Sequence, residues 1–277
     1  MNLDLNFRFS KSNLSAYVQC KQHFYLRYMK KVNWPAPVTE PILLREQQLD
    51  NGYNFHLLIQ QYIAGIPATN LTRTIKNENL LHWWQNFLQV DPLKGVEGKK
   101  LAEYTLSTRL AGYHLDAKFD LLVIHPDSSI TIFDWKTNKL LPSPFKLEKT
   151  LQTQVYRYVL ASAGSNLLAE GILHPDNIRM TYWFVEFPNI PINFNYSSVT
   201  MRYEQNHLAS LIEEISNLSE DSFEKTENEK ICQVCMYRSL CDHGINAGSM
   251  DEEIFFENAS EDLFLSLDID QIGEISH

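Results

Sequence analysis

The apolar run Leu121-Leu122-Val123-Ile124 is approached through Leu115-Asp116-Ala117-Lys118-Phe119-Asp120, and the whole stretch reads as one strand. His125-Pro126-Asp127-Ser128-Ser129 then supplies turn chemistry, and Ile130-Thr131-Ile132-Phe133 opens the next strand. Two strands joined by a short polar turn predict an antiparallel hairpin that sets Asp120 beside Asp134. Further strands are expected near 101–110 and 179–187. Apolar positions at helical spacing predict helices near 10–30, 46–64, 78–90, 146–163 and 203–218. The chain is therefore expected to be mixed α/β, with helices inserted between the segment around His56 and the first strand.

The second strand of that hairpin carries the most suggestive chemistry. In Phe133-Asp134-Trp135-Lys136-Thr137, alternation puts Asp134 and Lys136 on one face and Trp135 on the other. An acid that holds a divalent ion and a cation that orients water or stabilises a charged phosphate suit phosphodiester cleavage. An isolated D-x-K is usually no more than an ion pair on a half-exposed strand, so the neighbouring motifs matter. Two carboxylates converging near a lysine would bind Mg²⁺ or Mn²⁺, hard ions that prefer oxygen ligands.

Upstream, Gly52-Tyr53-Asn54-Phe55-His56 lies in the helical segment from about Glu46 to Ala64. Downstream, Gln154 and Tyr158 sit at i and i+4 in the segment from Lys146 to Ala163. With these in place the chain resembles the RecB-type nucleases of the PD-(D/E)xK superfamily. The matching residues are Gly52 and His56, Asp120, Asp134 with Lys136 and Thr137, and Gln154 with Tyr158, in order over roughly residues 10–245. Ala117-Lys118 depart from the glycine and arginine often found before the first strand acid in that family. The resemblance implies a restriction-endonuclease-like mixed sheet flanked by helices. It also implies metal ligation by Asp120, Asp134 and His56, with Glu103 a further candidate, and a charge-stabilising role for Lys136. Gln154 and Tyr158 would shape the site. Asp116, on the same strand face, rivals Asp120, which is preferred because the apolar run follows it directly.

The chain has four cysteines: Cys20 near the start, and Cys232, Cys235 and Cys241 spaced C-x2-C-x5-C. Four thiolates suffice for one [4Fe–4S] cluster or one structural zinc. Two disulfides are disfavoured by an expected cytoplasmic setting, since no secretory signal or apolar membrane run is read in the sequence. One distant cysteine with a compact later trio also resembles the iron–sulfur branch of the RecB-type nucleases, the AddB-like and CRISPR-associated relatives. A cluster there would staple the N-terminal helix to the far end of the chain.

Net charge fits a DNA-binding protein least, at −10. From His243 onward there is no Lys or Arg, and nine acids there account for all but about one of those charges. The expected organisation is one nuclease domain over residues 1–246 and an acidic, flexible tail over 247–277. The tail alternates acids with Phe255, Phe256, Phe264 and Leu265, which suits either a docking peptide for a protein partner or a cover over a DNA groove. Lys21, Arg27, Lys30 and Lys31, interleaved with Phe24, Tyr25, Tyr28 and Trp34, are the candidate nucleic-acid surface. Trp83 and Trp84 are expected in the core.

These readings converge on a metal-dependent DNA nuclease, an exonuclease on DNA with single-stranded ends by resemblance, in repair, recombination or CRISPR-type defence. The alternative is a non-catalytic iron–sulfur subunit that binds DNA or docks a helicase or CRISPR-type complex. No G-x-x-x-x-G-K-[ST] phosphate loop is present, so a P-loop motor would come from another chain.

Overall fold

The computed structural model describes residues 3–32, 40–233 and 235–241. The acidic tail and Trp34 lie outside the described residues. Strand β1 (Arg8–Ser10) leads into helices α1 (Lys11–Gln19) and α2 (Lys21–Phe24), the latter continued by a π-turn over Tyr25–Met29. Then come α3 (Glu40–Ile63), α4 (Ala68–Thr74), α5 (Glu78–Val90), β2 (Lys99–Leu110), β3 (Tyr113–Ile124) and β4 (Ile130–Lys136). The order closes with α6 (Pro144–Glu148), α7 (Leu151–Ala163), β5 (Ile178–Phe184), β6 (Ile192–Asn195), α8 (Ser198–Asn217) and α9 (Glu229–Gln233).

All six strands form one mixed sheet. Long β3 is its spine, antiparallel to β2 along one side. Its other side takes β1 in parallel and then β4 antiparallel. Strand β5 runs parallel to β4, the crossover passing through α6 and α7, and β6 closes the edge antiparallel to β5. The β2–β3 hairpin turns on Ala111 and Gly112, both at positive φ, as a two-residue primed turn requires. Gly98 enters β2 at φ 132°, where an added Cβ would sit 2.3 Å from the Ile124 carbonyl, so only glycine fits.

Helices cover both faces of the sheet. On one, α1, α2, α7 and α8 bury Phe9, Leu14, Phe24, Phe119, Val155, Val159, Met180 and Ile212. On the other, α3, α4 and α5 pack an aromatic cluster of Phe55, Trp84, Phe87, Trp135 and Trp183. Side-chain caps start several helices: Asn77 accepts from the Leu80 N–H, and Ser197 from that of Thr200.

The expected elements are present with several differences. The single helix foreseen over 10–30 is broken at Cys20, whose extended backbone ends α1 and starts α2, and the short helix α9 was not foreseen. The single helix foreseen over 146–163 is two, because Thr150 leaves helical geometry and caps α7 by accepting from the Thr153 N–H. Strands β1 and β6, three and four residues long, and helix α4 were not foreseen.

Candidate active site

The site is a row of acids across three strands. In the β2–β3 register Glu103 stands opposite Asp120, between the pairs Ala102↔Leu121 and Tyr104↔Phe119. In the β3–β4 register Asp134 stands opposite Asp120, one step beyond Leu121↔Phe133. Regular pairing fails at this level. Glu103 takes φ 52°, a strained backbone conformation for a non-glycine residue, and drops out of the ladder. The Asp120 carboxylate accepts from the Trp135 N–H at 2.8 Å, taking the place of a ladder bond. Side-chain alternation also changes over here: Phe119 belongs to the α7 face, and Leu121 to the aromatic face.

Helix α3 brings His56 to this row, its Nδ1 3.3 Å from Asp120 Oδ1. His56, Glu103 and Asp120 each offer a ligand atom, all within 4.8 Å of one another. Two carboxylates and an imidazole are a fitting donor set for Mn²⁺ or Mg²⁺. Burial works against a charged His56, but the charge of Asp120, aided by Asp134 and Glu103, holds its pKa above the ordinary value. Burial would raise Asp120, yet His56, Lys136 and the Trp135 N–H together hold it low. Burial and then the Asp120 charge push Glu103 up, against the opposing pull of Lys118, whose Nζ is 3.1 Å from its carboxylate.

Asp134 and Lys136 share a face, as alternation predicts, with Trp135 pointing into the aromatic cluster. Asp134 is not one of the three residues whose ligand atoms converge. Its Oδ2 lies 2.6 Å from Lys136 Nζ. Burial dominates in raising the Asp134 pKa, Lys136 opposing it and Asp120 adding to it. Gln152, in the first turn of α7, spans the pair: Lys136 Nζ donates to Gln152 Oε1 at 2.9 Å, and Gln152 Nε2 donates to Asp134 Oδ1 at 2.5 Å. Below them, the Tyr182 ring centroid lies 5.4 Å from Lys136 Nζ.

Gln154 and Tyr158 are not brought to this pair. Gln154 bonds the Lys149 carbonyl and His207 Nδ1, and Tyr158 is buried in the core on the α7 face. Gln152 and Tyr156 carry the same Q-x-x-x-Y spacing two residues earlier, and that overlapping frame was the available signal. Asp116 is held by Arg8, with bonds of 2.6 and 2.7 Å, away from the site. Trp83 and Trp84 are buried, as expected.

A second constellation joins the two ends of the fold. Cys20, Cys232, Cys235 and Cys241 are all free thiols lining one cavity with His23 and Tyr237. Sγ of Cys20 accepts from the His23 N–H, and Sγ of Cys235 from that of Tyr237, both at 3.4 Å. Burial, helped by the neighbouring thiols, pushes Cys235 up to about 11.

A mixed sheet sandwiched by helices, with an acid row and a D-x-K lysine at its centre, defines a phosphodiester-cleaving class of domain. The sequence matches the PD-(D/E)XK nuclease superfamily over residues 8–242. The chain belongs to that superfamily. No protein of curated function matches it. Among solved structures, a protein from Eubacterium rectale, provisionally named an exonuclease, superposes with a TM-score of 0.50 at 11% identity, covering 91% of this chain and 93% of that one. The crystal structure of SSO0001 gives 0.39 at 13% identity, over 84% of this chain and 85% of that one. At such identities the likeness speaks for fold alone. No helix among the described residues is long and apolar enough to cross a membrane.

Proposed function

We propose that this protein is a metal-dependent DNA nuclease, cutting DNA with single-stranded ends as an exonuclease. The observation that carries the reading is the convergence of His56, Glu103 and Asp120 beside the buried Asp134–Lys136–Gln152 set. His56, Glu103 and Asp120 would hold a Mg²⁺ or Mn²⁺ ion, which would supply charge stabilisation at the phosphate and a more acidic water. Lys136 presents its charge to the phosphate undergoing attack, where a preorganised cation is worth most. Asp134 and Gln152 fix the ammonium position, so its reorientation is not needed during reaction. A non-catalytic DNA-binding subunit would have no use for this costly buried charge set. The name of the Eubacterium rectale neighbour favours an exonuclease over an endonuclease.

The four cysteines are proposed to hold a [4Fe–4S] cluster that staples α2 to the C-terminal segment, with residues 1–246 acting as one nuclease domain and the acidic tail as a docking peptide. Protein purified without oxygen is expected to be brown and to carry about four irons per chain. Cys20→Ala should lose the colour as Cys232→Ala does, while a colourless protein with one zinc would reassign the staple. For the nuclease itself, end-labelled single- and double-stranded DNA is incubated with Mg²⁺ or Mn²⁺. Cleavage by the wild type and none by Lys136→Ala supports the reading, and equal cleavage by both overturns it.

A further inference from the structure

Residues 137–151 leave the catalytic strand at Lys136 and return to it at Gln152, so the Lys136–Gln152 hydrogen bond of 2.9 Å pins both ends of this excursion at the site. The segment between is thereby tethered at both ends beside the active centre. It displays an unusual set. Three lysines, Lys139, Lys146 and Lys149, are exposed on it in a chain of net charge −10. Its one acid, Glu148, lies 3.6 Å from Arg157 and is partly neutralised there. Leu140 is 50% exposed and Phe145 67% exposed.

Phe145 is not simply stranded. Ser143 caps α6 by accepting from the Lys146 N–H, Pro144 stiffens its first position, and Leu147 is fully buried beneath. The ring is thus held outward on an anchored turn. Lys149 Nζ lies 3.8 Å from the ring centroid, covering one side by a cation–π contact. The exposure lies on the rest of the ring.

We propose that this rim is a single-strand binding step: Phe145 stacks on an unpaired nucleobase, while Lys146 and Lys149 hold the flanking phosphates and feed the strand to the catalytic centre. An exposed aromatic bracketed by cations matches the stacking platforms used for single strands. Duplex bases are already stacked on one another and offer no face to a lone ring. The segment therefore discriminates for single-stranded DNA, and this rests on the nuclease reading for what happens to the bound strand.

Binding of a fluorescent single-stranded oligodeoxynucleotide and of a blunt duplex is measured with the full-length protein in the absence of Mg²⁺ and Mn²⁺, so that DNA is bound and not cut, as wild type and as Phe145→Ala, Phe145→Trp or Lys146→Ala/Lys149→Ala. Phe145→Ala should weaken single-strand binding about tenfold and leave duplex binding within about twofold, and Phe145→Trp should retain it. The double lysine variant should flatten the salt dependence of single-strand binding by roughly one unit of slope, at about 0.7 for each phosphate no longer neutralised. Unchanged single-strand affinity in Phe145→Ala, or an equal loss on duplex, overturns the proposal. Cleavage by the otherwise wild-type protein is scored in parallel. Activity with no Phe145 dependence sinks the rim alone, whereas Phe145-dependent binding with no cleavage sinks the nuclease reading alone.

Discussion

The two faces of strand β4 are built on opposite terms. On the aromatic face, Trp135 packs against Phe87 and Trp183 with ring centroids 6.0 and 6.1 Å apart. On the α7 face, one residue to either side, Asp134 and Lys136 are buried with Gln152, and deeper in the same layer Arg157 is paired with Glu204. Burying charges is unfavourable unless each is paired, and pairing alone often only breaks even. The apolar face supplies what the polar one cannot. It fixes the strand so that the acids and lysine keep their places with no help from stability gained at the site. On the proposed reading the buried charge serves chemistry, and the apolar cores on both faces offset its cost.

Breaking each face should therefore give different phenotypes. The largest effect is expected from Lys136→Ala, a loss of cleavage of about 10²–10³-fold or more per folded molecule, scored by end-labelled DNA with the folded fraction fixed by thermal unfolding. Next is Trp183→Ala, which should cost about 3–5 kcal/mol of stability by opening the aromatic cluster, measured by urea unfolding. Its remaining folded fraction should cleave normally. A Trp183→Ala protein that is stable but inactive would erase the distinction between the faces.

Smaller effects sharpen the polar face. Gln152→Ala should lower activity about 10–100-fold by releasing Lys136 and Asp134, in line with losses at residues that orient a metal site. Gln154→Ala, which contacts neither, should stay near wild type. The same steady-state assay run on both variants reverses this assignment if Gln154→Ala proves the more damaging.

The smallest expected effect is on pH dependence. Burial outweighs the attraction of Arg157 and raises Glu204 from 4.5 to about 7. The folded state then holds a proton that the unfolded chain has already released. Glu204 thus adds stability that is complete below about pH 4.5 and is lost as pH rises to about 7. The contribution falls by at most about 1.4 kcal/mol per pH unit across that window. Subtracting the unfolding curve of Glu204→Gln from that of wild type over this range isolates it. No falling limb in the difference would show that the ion pair, and not burial, governs this residue.

Much of this was legible in the chain, for identifiable reasons. A five-residue polar turn between two apolar strand segments set the hairpin register, which puts Asp120 opposite Asp134. The helix over 78–90 was legible to the residue because Asn77 caps it and its apolar stripe is clean. The choice of Asp120 over Asp116 agreed with the ion pair that Arg8 makes with Asp116. The frame of Q-x-x-x-Y was not legible, because α7 is buried on every side from Leu151 to Ala161 and a helix without a polar face has no phase to read. The left-handed backbone at Glu103 leaves no mark in residue type either, since glutamate gives no hint of positive φ. Strands of three or four residues are too short for alternation to announce them.

The central claim is the proposal that His56, Glu103 and Asp120 hold the divalent ion while Asp134 and Gln152 position Lys136 toward the phosphate. Manganese binding followed by electron paramagnetic resonance, on wild type, Asp120→Asn and Gln152→Ala, tests it without reference to turnover. The account predicts a Mn²⁺ site in wild type, its loss in Asp120→Asn and its retention in Gln152→Ala. Undiminished Mn²⁺ binding by Asp120→Asn would contradict it.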